Sequence, residues 1–355
     1  MIPYPVRVWT SEPYYYSKFM TRLGHKVEAI AHTGGSGDLF EKLGVHVHEV
    51  EKGPAWRHRV VQVVRQTMPD VIHVFRHWGC GLLAWQLHHG KRPALVLDVR
   101  SPHLHGRFRN ALTSAKDRIE ALMYDAVCSN TLDVMESAEN RGGNLRYLPN
   151  GVDGDELPIF STGTSSPGIC RFVYVGAISP KRGIETLLVA FCRAAAATRT
   201  YIHLDLFGKG SPEDFEAMYR LMDKVAMSPT VRLLQPVPRQ ELFARLSKDY
   251  DVGIAYIPRI PFDIGPPLKT LEYLACGLPV LATNTRGNRL YVNHGENGLI
   301  IGDDPPSVER GIHDMISFFN SSPSWREACR ASVSGITWER SISQTLLPLY
   351  QEVLG

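Results

Sequence analysis

The sequence predicts an α/β protein built from two Rossmann-like domains. At 355 residues the chain is too long for one ordinary core and suits two domains. Short apolar runs alternate with segments of helical period along the chain, which is typical of parallel sheets with helices on both faces. A stretch rich in Gly, Ser, Thr and Pro, residues 154–168, separates the two halves and has the composition of a linker.

The predicted strands are short apolar runs that fit strands covered on both faces. In the first half these are Val6–Trp9, Val27–Ala31, Val71–Phe75, Ala94–Asp98, Ala126–Cys128 and Leu145–Leu148. In the second half they are Phe172–Val175, Ile202–Phe207, Val231–Leu234, Val252–Tyr256 and Val280–Ala282. A last amphipathic helix is predicted over about residues 339–354. Ligands of open parallel sheets bind beyond the carboxyl ends of the strands, so the loops that follow these strands are where we expect the site.

Composition excludes several classes of protein. The net charge of +3 is too small to indicate a nucleic-acid partner. No apolar run approaches the ~20 residues that a membrane span needs, and the first residues do not have the pattern of a signal peptide. The six cysteines are scattered without close pairs, which favours reduced core residues over a disulfide or zinc framework. We therefore expect a cytoplasmic protein.

The segment from Gly265 to Thr283 is the most informative part of the sequence. It predicts a Gly-Pro turn, a short helix that ends at Gly277, and a buried strand. The first backbone N–H groups of a helix have no partner within it, so a helix that starts in a loop can bind an anion such as phosphate. Lys269 lies in the first turn of this helix, and Glu272 lies one turn further on, where a carboxylate can accept hydrogen bonds from sugar hydroxyls.

Four segments of the sequence resemble motifs of the retaining family 4 glycosyltransferases, which have the GT-B fold and use nucleotide sugars. The segments occur in the same order as in that family. They are Leu148–Asp153, Tyr174–Leu188, the run PPLKTLEYLACGLPVLAT with the later NHGENGLII, and Trp338-Glu339. The resemblance covers roughly residues 70 to 355 well and the first 50 residues poorly. It implies two Rossmann-like domains that face each other across a cleft. We expect an N-terminal acceptor-side domain over 1–160, a C-terminal nucleotide-sugar domain over 168–336, and a helix over 337–355 that crosses back to the first domain.

The resemblance also implies roles for particular residues. The helix start would bind the donor diphosphate, and Glu272 would bind the donor ribose. Arg182 falls where the family has its diphosphate-binding lysine, although in isolation it could be an ordinary surface cation like Lys181. The residues implied in the nucleotide site are Gly176, Arg182, Gly208, Val237, Asp263, Gly265, Pro267, Leu268, Lys269, Thr270 and Glu272.

The chain departs from the family pattern at several positions. Ala177 stands where the family has an arginine, so Lys181 or Lys269 would supply that charge. Ile264 stands where the family has a second glutamate, and Asp263, one residue away, is the candidate to replace it. The loop after the first predicted strand, Thr10–Pro13, lacks the family's glycines.

A basic loop follows the strand that ends at Asp98. Arg100 is the nearest match in register to a family histidine that contacts the donor sugar, and His103 lies just beyond it. Further along come His105, Arg107 and Arg109, which would attract an anionic acceptor. The alternative is a merely basic surface loop. After the preceding strand, Trp78 could stack on a sugar or simply pack, and His73 on that strand is expected to be a core histidine with satisfied hydrogen bonds.

These observations predict a retaining glycosyltransferase of hexosyltransferase type that acts in surface polysaccharide or glycoconjugate biosynthesis. The residues expected to carry catalysis are Arg182, Lys269, Glu272, Arg100 and His103. The resemblance implies no metal and no cofactor beyond the nucleotide-sugar co-substrate. The expected partners are that donor and a saccharide or lipid-linked acceptor, with peripheral contact at the inner membrane surface and no nucleic acid. A GT-B nucleotide-sugar epimerase and a non-catalytic nucleotide- or partner-binding GT-B protein are the alternatives.

Overall fold

The computed structural model describes residues 12–33, 38–88, 92–100, 118–133, 145–158, 168–224, 230–265, 267–320 and 325–355. The chain forms two compact units. Unit 1 comprises Met1–Gly151 together with Thr337–Gly355, and unit 2 comprises Val152–Ile336. Both units are α/β, and every described pair of named strands is parallel. The predicted α/β class with parallel sheets is therefore confirmed.

Unit 1 contains six described strands in two sheets. The strands are β1 (Glu28–His32), β2 (His46–Val50), β3 (Val71–Phe75), β4 (Ala94–Val99), β5 (Ala126–Ser129) and β6 (Leu145–Tyr147). β1 pairs with β2, and the other four form a sheet in the order β3-β4-β5-β6. The helices are Glu12–Arg22, Asp38–Glu41, Trp56–Thr67, Cys80–Leu87 and the C-terminal run Trp338–Leu354, which contains a π-helical stretch, Ile342–Leu346. The predicted strand Val6–Trp9 lies outside the described residues.

The end of the chain packs into the core of unit 1. Trp338 is fully buried, and its ring stacks on Tyr15 with 5.0 Å between ring centroids. The backbone at Gly151 lies very close to that at Trp338, because a side chain at Gly151 would come within 2.2 Å of the Trp338 backbone nitrogen. Ser341 Oγ donates a hydrogen bond of 2.7 Å to the carbonyl of Pro149. The last helix is thus part of the first unit's core, although it follows the second unit in sequence.

Unit 2 holds one six-stranded parallel sheet. Its strands are β7 (Ile169–Val175), β8 (Tyr201–Phe207), β9 (Val231–Leu234), β10 (Val252–Ala255), β11 (Val280–Thr283) and β12 (Gly298–Ile301). They lie in the order β12-β11-β10-β7-β8-β9. The helices are Ile184–Ala197, Pro212–Lys224, Arg239–Asp249, Arg259–Phe262, Leu268–Ala275, Pro305–Asn320 and Trp325–Val333, with short 3-10 turns at Gly154–Glu156, Pro180–Arg182 and Asn288–Leu290.

Local sequence explains the elements that carry the site. In helix Ile184–Ala197, Ile184, Leu187, Leu188 and Phe191 follow the helical period and are all fully buried against the sheet. β10 is buried along its whole length, as expected of a central parallel strand. The order of strands reverses between β7 and β10, so the chain builds β7, β8 and β9 to one side and then returns to the other. Ligands of such sheets bind at this switch point, beyond the carboxyl ends of the strands.

Two short strands were not predicted from the sequence. β2 reads HVHEV and is largely exposed or half-buried, so it has no continuous apolar run to identify it. β12 reads GLII, only four residues long, and follows a turn at Gly295 with a φ of 85°. Over the described residues, no helix combines the length and apolar character needed to cross a bilayer.

Candidate functional site

The switch point of unit 2 carries a basic cluster formed by Tyr174, Gly176, Arg182, Phe262 and Lys269. Tyr174 lies near the end of β7 and Gly176 directly follows that strand. Arg182 ends the following 3-10 turn, and Lys269 lies in the first turn of helix Leu268–Ala275. Lys269 Nζ lies 4.2 Å from the centroid of the Tyr174 ring. The Arg182 guanidinium lies 4.4 Å from the centroid of the Phe262 ring. Each cation is therefore held against an aromatic face, which fixes its position without neutralising its charge.

The environment of Lys269 disfavours its charged form. Burial, and after it the charge of Arg182, lowers the pKa of Lys269 to about 7. Among the described residues, no carboxylate lies within ion-pair distance of its Nζ. A bound anion would stabilise the charged form of Lys269, because it would offset both the desolvation of the amine and its repulsion by Arg182.

Two glycines allow the backbone and side chains of the basic cluster to approach one another closely. A side chain at Gly176 would come within 3.1 Å of Lys269 Nζ and 2.9 Å of the Tyr174 hydroxyl. A side chain at Gly208, which follows β8, would come within 2.0 Å of the Gly176 carbonyl oxygen. The Gly176 N–H donates to the carbonyl of Phe207 at 2.9 Å, so the ends of β7 and β8 lie in direct contact. The sequence-predicted residues Gly176, Gly208, Arg182 and Lys269 thus belong to one compact region.

We expect Gly208→Ala to damage this region selectively. The added methyl group would meet the backbone of Gly176, so one strand end must move, and the free energy of unfolding should fall by about 1–3 kcal/mol, as in other overpacked sites. Gly154→Ala is the matched control, because a side chain there meets no atom within 4 Å. Chemical denaturation of both variants checks the prediction. Equal stabilities would show that the close approach at Gly208 is not needed.

Hydrogen bonds from its side chains fix the position of helix Leu268–Ala275 in unit 2. Pro267 precedes the helix in an extended conformation, and no side chain caps it. Thr270 Oγ1 donates to Asn288 Oδ1 at 2.8 Å, and the Tyr273 hydroxyl accepts a hydrogen bond of 2.7 Å from the Val175 N–H. These contacts fix the helix against the end of β7. Uncapped N–H groups and the helix dipole then add to the positive potential of the basic cluster.

The turn before this helix is also closely packed. A side chain at Gly287 would come within 2.1 Å of the Gly265 carbonyl oxygen and 3.1 Å of Pro267. Leu268 at the helix start and Val237 after β9 are both half-buried. The roles predicted for Gly265, Pro267, Leu268, Thr270 and Val237 in nucleotide binding remain predictions.

Asp263 ties two loops together. Its Oδ1 accepts a hydrogen bond of 3.1 Å from the Arg286 N–H and lies 3.4 Å from Arg259 Nε. Its backbone carbonyl accepts from the Gly287 N–H at 3.0 Å. This carboxylate therefore organises the turn that leads to helix Leu268–Ala275. Its predicted role as a replacement for the family's second glutamate remains a prediction.

Glu272 is buried and paired with an arginine that the sequence did not identify. Glu272 Oε1 lies 2.7 Å from Arg239 Nη2, and Arg239 Nε donates to Glu156 Oε2 at 2.7 Å. The Arg239 guanidinium also lies 4.4 Å from the centroid of the Phe243 ring. No local sequence signal marks Arg239, because its partners are far away along the chain and it stands at an ordinary helix start after Pro238.

In unit 1, Arg100 is embedded in a hydrogen-bonded network at the carboxyl end of β4. Arg100 Nε donates to Asp98 Oδ1 at 2.7 Å, and its Nη1 donates at 3.2 Å to Asn150 Oδ1. Asp98 Oδ2 also accepts from the Tyr16 hydroxyl and lies 3.0 Å from His73 Nε2. Burial raises the pKa of Asp98 to about 6 in spite of its hydrogen bond with His73, which acts in the opposite direction. Arg100 therefore has firm structural partners, and its predicted contact with a substrate remains a prediction.

His73 has the structural role that the sequence predicted. Its Nε2 pairs with Asp98, and its Nδ1 is 2.9 Å from the hydroxyl of Tyr350 on the C-terminal helix. The prediction of a satisfied core histidine is confirmed. The ligand atoms of His73, Asp98 and Cys128 lie within 4.8 Å of one another, but Asp98 is already occupied by Arg100 and Tyr16.

Trp78 is 80% exposed, so the reading of this residue as a packing side chain is wrong. An exposed indole at the end of a strand is available to stack on a ligand. His103, His105, Arg107 and Arg109 lie outside the described residues.

Two family models match the chain, one in each unit. The model described as "Glycosyl transferase 4-like domain" matches residues 16–151, and the model described as "Glycosyl transferases group 1" matches residues 170–317. Together they cover most of the chain.

Individual proteins agree with these matches. The D-inositol 3-phosphate glycosyltransferase of Thermobifida fusca is 26% identical over 317 residues, which span 80% of this chain and 70% of that protein. The O-antigen chain mannosyltransferase B of Escherichia coli is 28% identical over 180 residues, 49% of this chain and 44% of that protein. The structure of Anabaena HepE in complex with UDP and glucose superposes with a TM-score of 0.74 at 14% identity and covers 99% of each chain. The predicted GT-B fold class is confirmed.

Proposed function

Because the chain belongs to the glycosyltransferase family of the group 1 and 4-like models, we propose that it moves a sugar from a nucleoside diphosphate donor to an acceptor hydroxyl with retention. The donor diphosphate would lie at the basic cluster of unit 2, and the nucleoside ribose would lie at Glu272. The single observation that carries the proposal is the environment of the Lys269 amine. This partly buried amine has an aromatic face and a second cation beside it, and no described carboxylate lies within ion-pair distance of it.

The chemistry asks the protein mainly to stabilise a leaving group. As the glycosidic bond to the donor breaks, negative charge develops on the diphosphate, and cations placed in advance stabilise that charge. Arg182 and Lys269 are such cations, and the start of helix Leu268–Ala275 adds backbone N–H groups. The family resemblance implies a same-face mechanism, in which the leaving phosphate oxygen accepts the proton of the acceptor hydroxyl. No carboxylate nucleophile is then required.

For the acceptor we propose a saccharide or a lipid-linked saccharide of surface polysaccharide or glycoconjugate biosynthesis. The relatives named above act on a phosphorylated inositol or on an O-antigen chain according to their names, and this range supports a polar and in part anionic acceptor. The basic residues His103, Arg107 and Arg109, which follow β4 in the sequence, would attract a phosphate or an acidic sugar.

Release of nucleoside diphosphate tests the proposed function. The protein is incubated with UDP-, GDP-, ADP- and CDP-sugars, with and without lipid-linked and polysaccharide acceptors, and free nucleoside diphosphate is measured. We expect release from one class of donor, strongly stimulated by an acceptor, and a product of retained anomeric configuration by NMR. Donor isomerisation without an acceptor would instead indicate an epimerase. Tight nucleotide binding without turnover on any acceptor would indicate a non-catalytic binding protein.

A further inference from the structure

The ion pair of Arg239 and Glu272 in unit 2 extends to a second carboxylate, that of Glu156, and the proposed mechanism gives Arg239 and Glu156 no role. The three residues come from separate parts of the chain: Glu156 from the turn Gly154–Glu156, Arg239 from the first position of helix Arg239–Asp249, and Glu272 from helix Leu268–Ala275. We refer to these three residues as the carboxylate clamp. The Glu272 side chain is only 10% exposed, and those of Arg239 and Glu156 are 25% and 21% exposed.

One guanidinium joins the two carboxylates of the clamp. Arg239 Nη2 forms an ion pair with Glu272 Oε1, and Arg239 Nε donates a hydrogen bond to Glu156 Oε2. The Phe243 ring, 4.4 Å from the guanidinium carbon, supports its face. A guanidinium that is held by two carboxylates and packed against one aromatic ring has little rotational freedom, and it restricts the carboxylate with which it is paired.

One oxygen of Glu272 remains available. Arg239 contacts Oε1, and no described residue donates a hydrogen bond to Oε2. A buried carboxylate with one oxygen fixed and one oxygen open is suited to accept hydrogen bonds from a vicinal diol, because the diol presents two hydroxyl donors in a fixed relation.

We propose that Arg239 is a positioning residue that orients Glu272 for the ribose diol, and so sets the preference of the site for ribonucleotides over deoxyribonucleotides. This inference rests on the proposed function, since it takes the ligand at Glu272 to be the ribose of the donor. Arg239 is not among the residues that the sequence pattern indicated. Glu156 acts one step further out by holding Arg239.

The test compares ribose and 2′-deoxyribose nucleotides by calorimetry. UDP, GDP, ADP and CDP are first titrated into the wild-type protein to find the base that binds, and the matching 2′-deoxynucleoside diphosphate is then titrated under the same conditions. We expect the wild-type protein to prefer the ribose form by about 10- to 100-fold, the range given by loss of one hydrogen bond to a charged group.

The variants then separate positioning from stability. Arg239→Met should reduce the ribose preference to less than about threefold, Glu272→Gln should also reduce it, and Glu156→Gln should have a smaller effect of the same sign. Arg239→Lys keeps a charge but cannot contact two carboxylates through two separate nitrogen atoms, so its ribose preference should fall between those of Arg239→Met and the wild type. Arg245→Gln is the matched control, because Arg245 lies on the same helix in an exposed pair with Glu241 and should keep the full preference.

The outcomes distinguish this inference from the proposed function. If the wild-type protein binds no nucleoside diphosphate at all, the proposed function fails and the inference fails with it. If the preference exists and is lost in Glu272→Gln but kept in folded Arg239→Met, the proposed function stands and the inference is wrong. If Arg239→Met weakens both nucleotides by the same factor, Arg239 is only structural and the inference is again wrong. Should Arg239→Met not fold, Arg239→Lys decides: a ribose preference below that of the wild type supports the inference, and the full wild-type preference contradicts it.

Discussion

Replacement of Lys269 by methionine is expected to lower turnover by about 10²–10³-fold and at the same time to raise the thermal stability of the protein. Loss of a preorganised cation at the leaving group has an effect of that size in enzymes that stabilise developing negative charge. Lys269 is the innermost cation of the basic cluster, against the Tyr174 ring and beside Gly176. Methionine keeps the length and the apolar stem of the side chain, so the loss reports on charge rather than on packing.

The gain in stability follows from the lowered pKa. The folded protein holds the pKa of Lys269 at about 7, below the ordinary value of 10.5, so between these pH values the unfolded chain binds more protons than the folded chain. The free energy of unfolding therefore rises with pH across this window, and below about pH 7 the full penalty of the charged amine remains. Methionine removes the penalty at neutral pH. Side chains that reduce stability while serving a site are typical of binding and catalytic groups.

Lys181→Met is the control for this prediction. Lys181 is exposed in the 3-10 turn next to Arg182, so its removal should change stability and turnover little. Thermal melts and steady-state rates of the two variants check the prediction. A Lys269→Met protein that is less stable than the wild type and fully active would mean that this lysine is structural and that the site is misplaced.

Replacement of Arg182 by alanine is expected to lower turnover by about 10²-fold, with little change in stability. Arg182 ends a turn in which Lys181 N–H donates to Ser179 Oγ, and Gly183 follows with a φ of 64°, so the backbone delivers the side chain to one place. The Phe262 ring then holds the guanidinium at 4.4 Å. Arg182→Lys retains the charge but not the planar stacking on Phe262, so its turnover should lie between those of the alanine variant and the wild type.

Arg193→Ala is the matched control. Arg193 is exposed on helix Ile184–Ala197, and its replacement should leave turnover and stability at the wild-type level. Steady-state rates at saturating donor, together with melting temperatures, measure the effect. Should Arg182→Ala and Arg193→Ala be equally active, Arg182 would be the ordinary surface cation that its exposed lysine neighbour suggests, and the diphosphate would have to be bound elsewhere.

The sequence was sufficient where the determinants of structure are local. Strands β3 and β9 match the predicted residues from first to last, because each is a compact apolar run set between polar residues or turns. The helix Leu268–Ala275 was also predictable, since Gly277 and the prolines before Leu268 mark its two ends. β2 was missed because the strand is mostly exposed or half-buried and contains two histidines and a glutamate, so it has no continuous apolar run.

The site was predictable only in part, for a related reason. Lys269 and Arg182 could be identified because glycines, a proline and a helix start lie close to them in the sequence. The clamp on Glu272 could not, because Arg239 meets Glu156 across 83 positions of the chain and only folding brings them together. Asp98 could be noticed in the sequence as a charged residue at the end of a buried apolar strand. Its hydrogen bonds with Tyr16 and His73 could not be predicted, because those residues come from other elements.

Proton uptake on nucleotide binding is the most direct test of the claim that the donor diphosphate binds at the basic cluster. At about pH 8 the amine of Lys269 is mostly neutral in the free protein, because burial and Arg182 lower its pKa to about 7. A bound diphosphate raises that pKa again, so binding should take up a proton. The uptake is measured by titrating the nucleoside diphosphate that binds into protein in buffers of different ionisation enthalpy. We expect an uptake that approaches one proton per site in the wild type and is absent in Lys269→Arg, which is always charged. Tight binding without proton uptake, equally tight in Lys269→Met, would contradict the account.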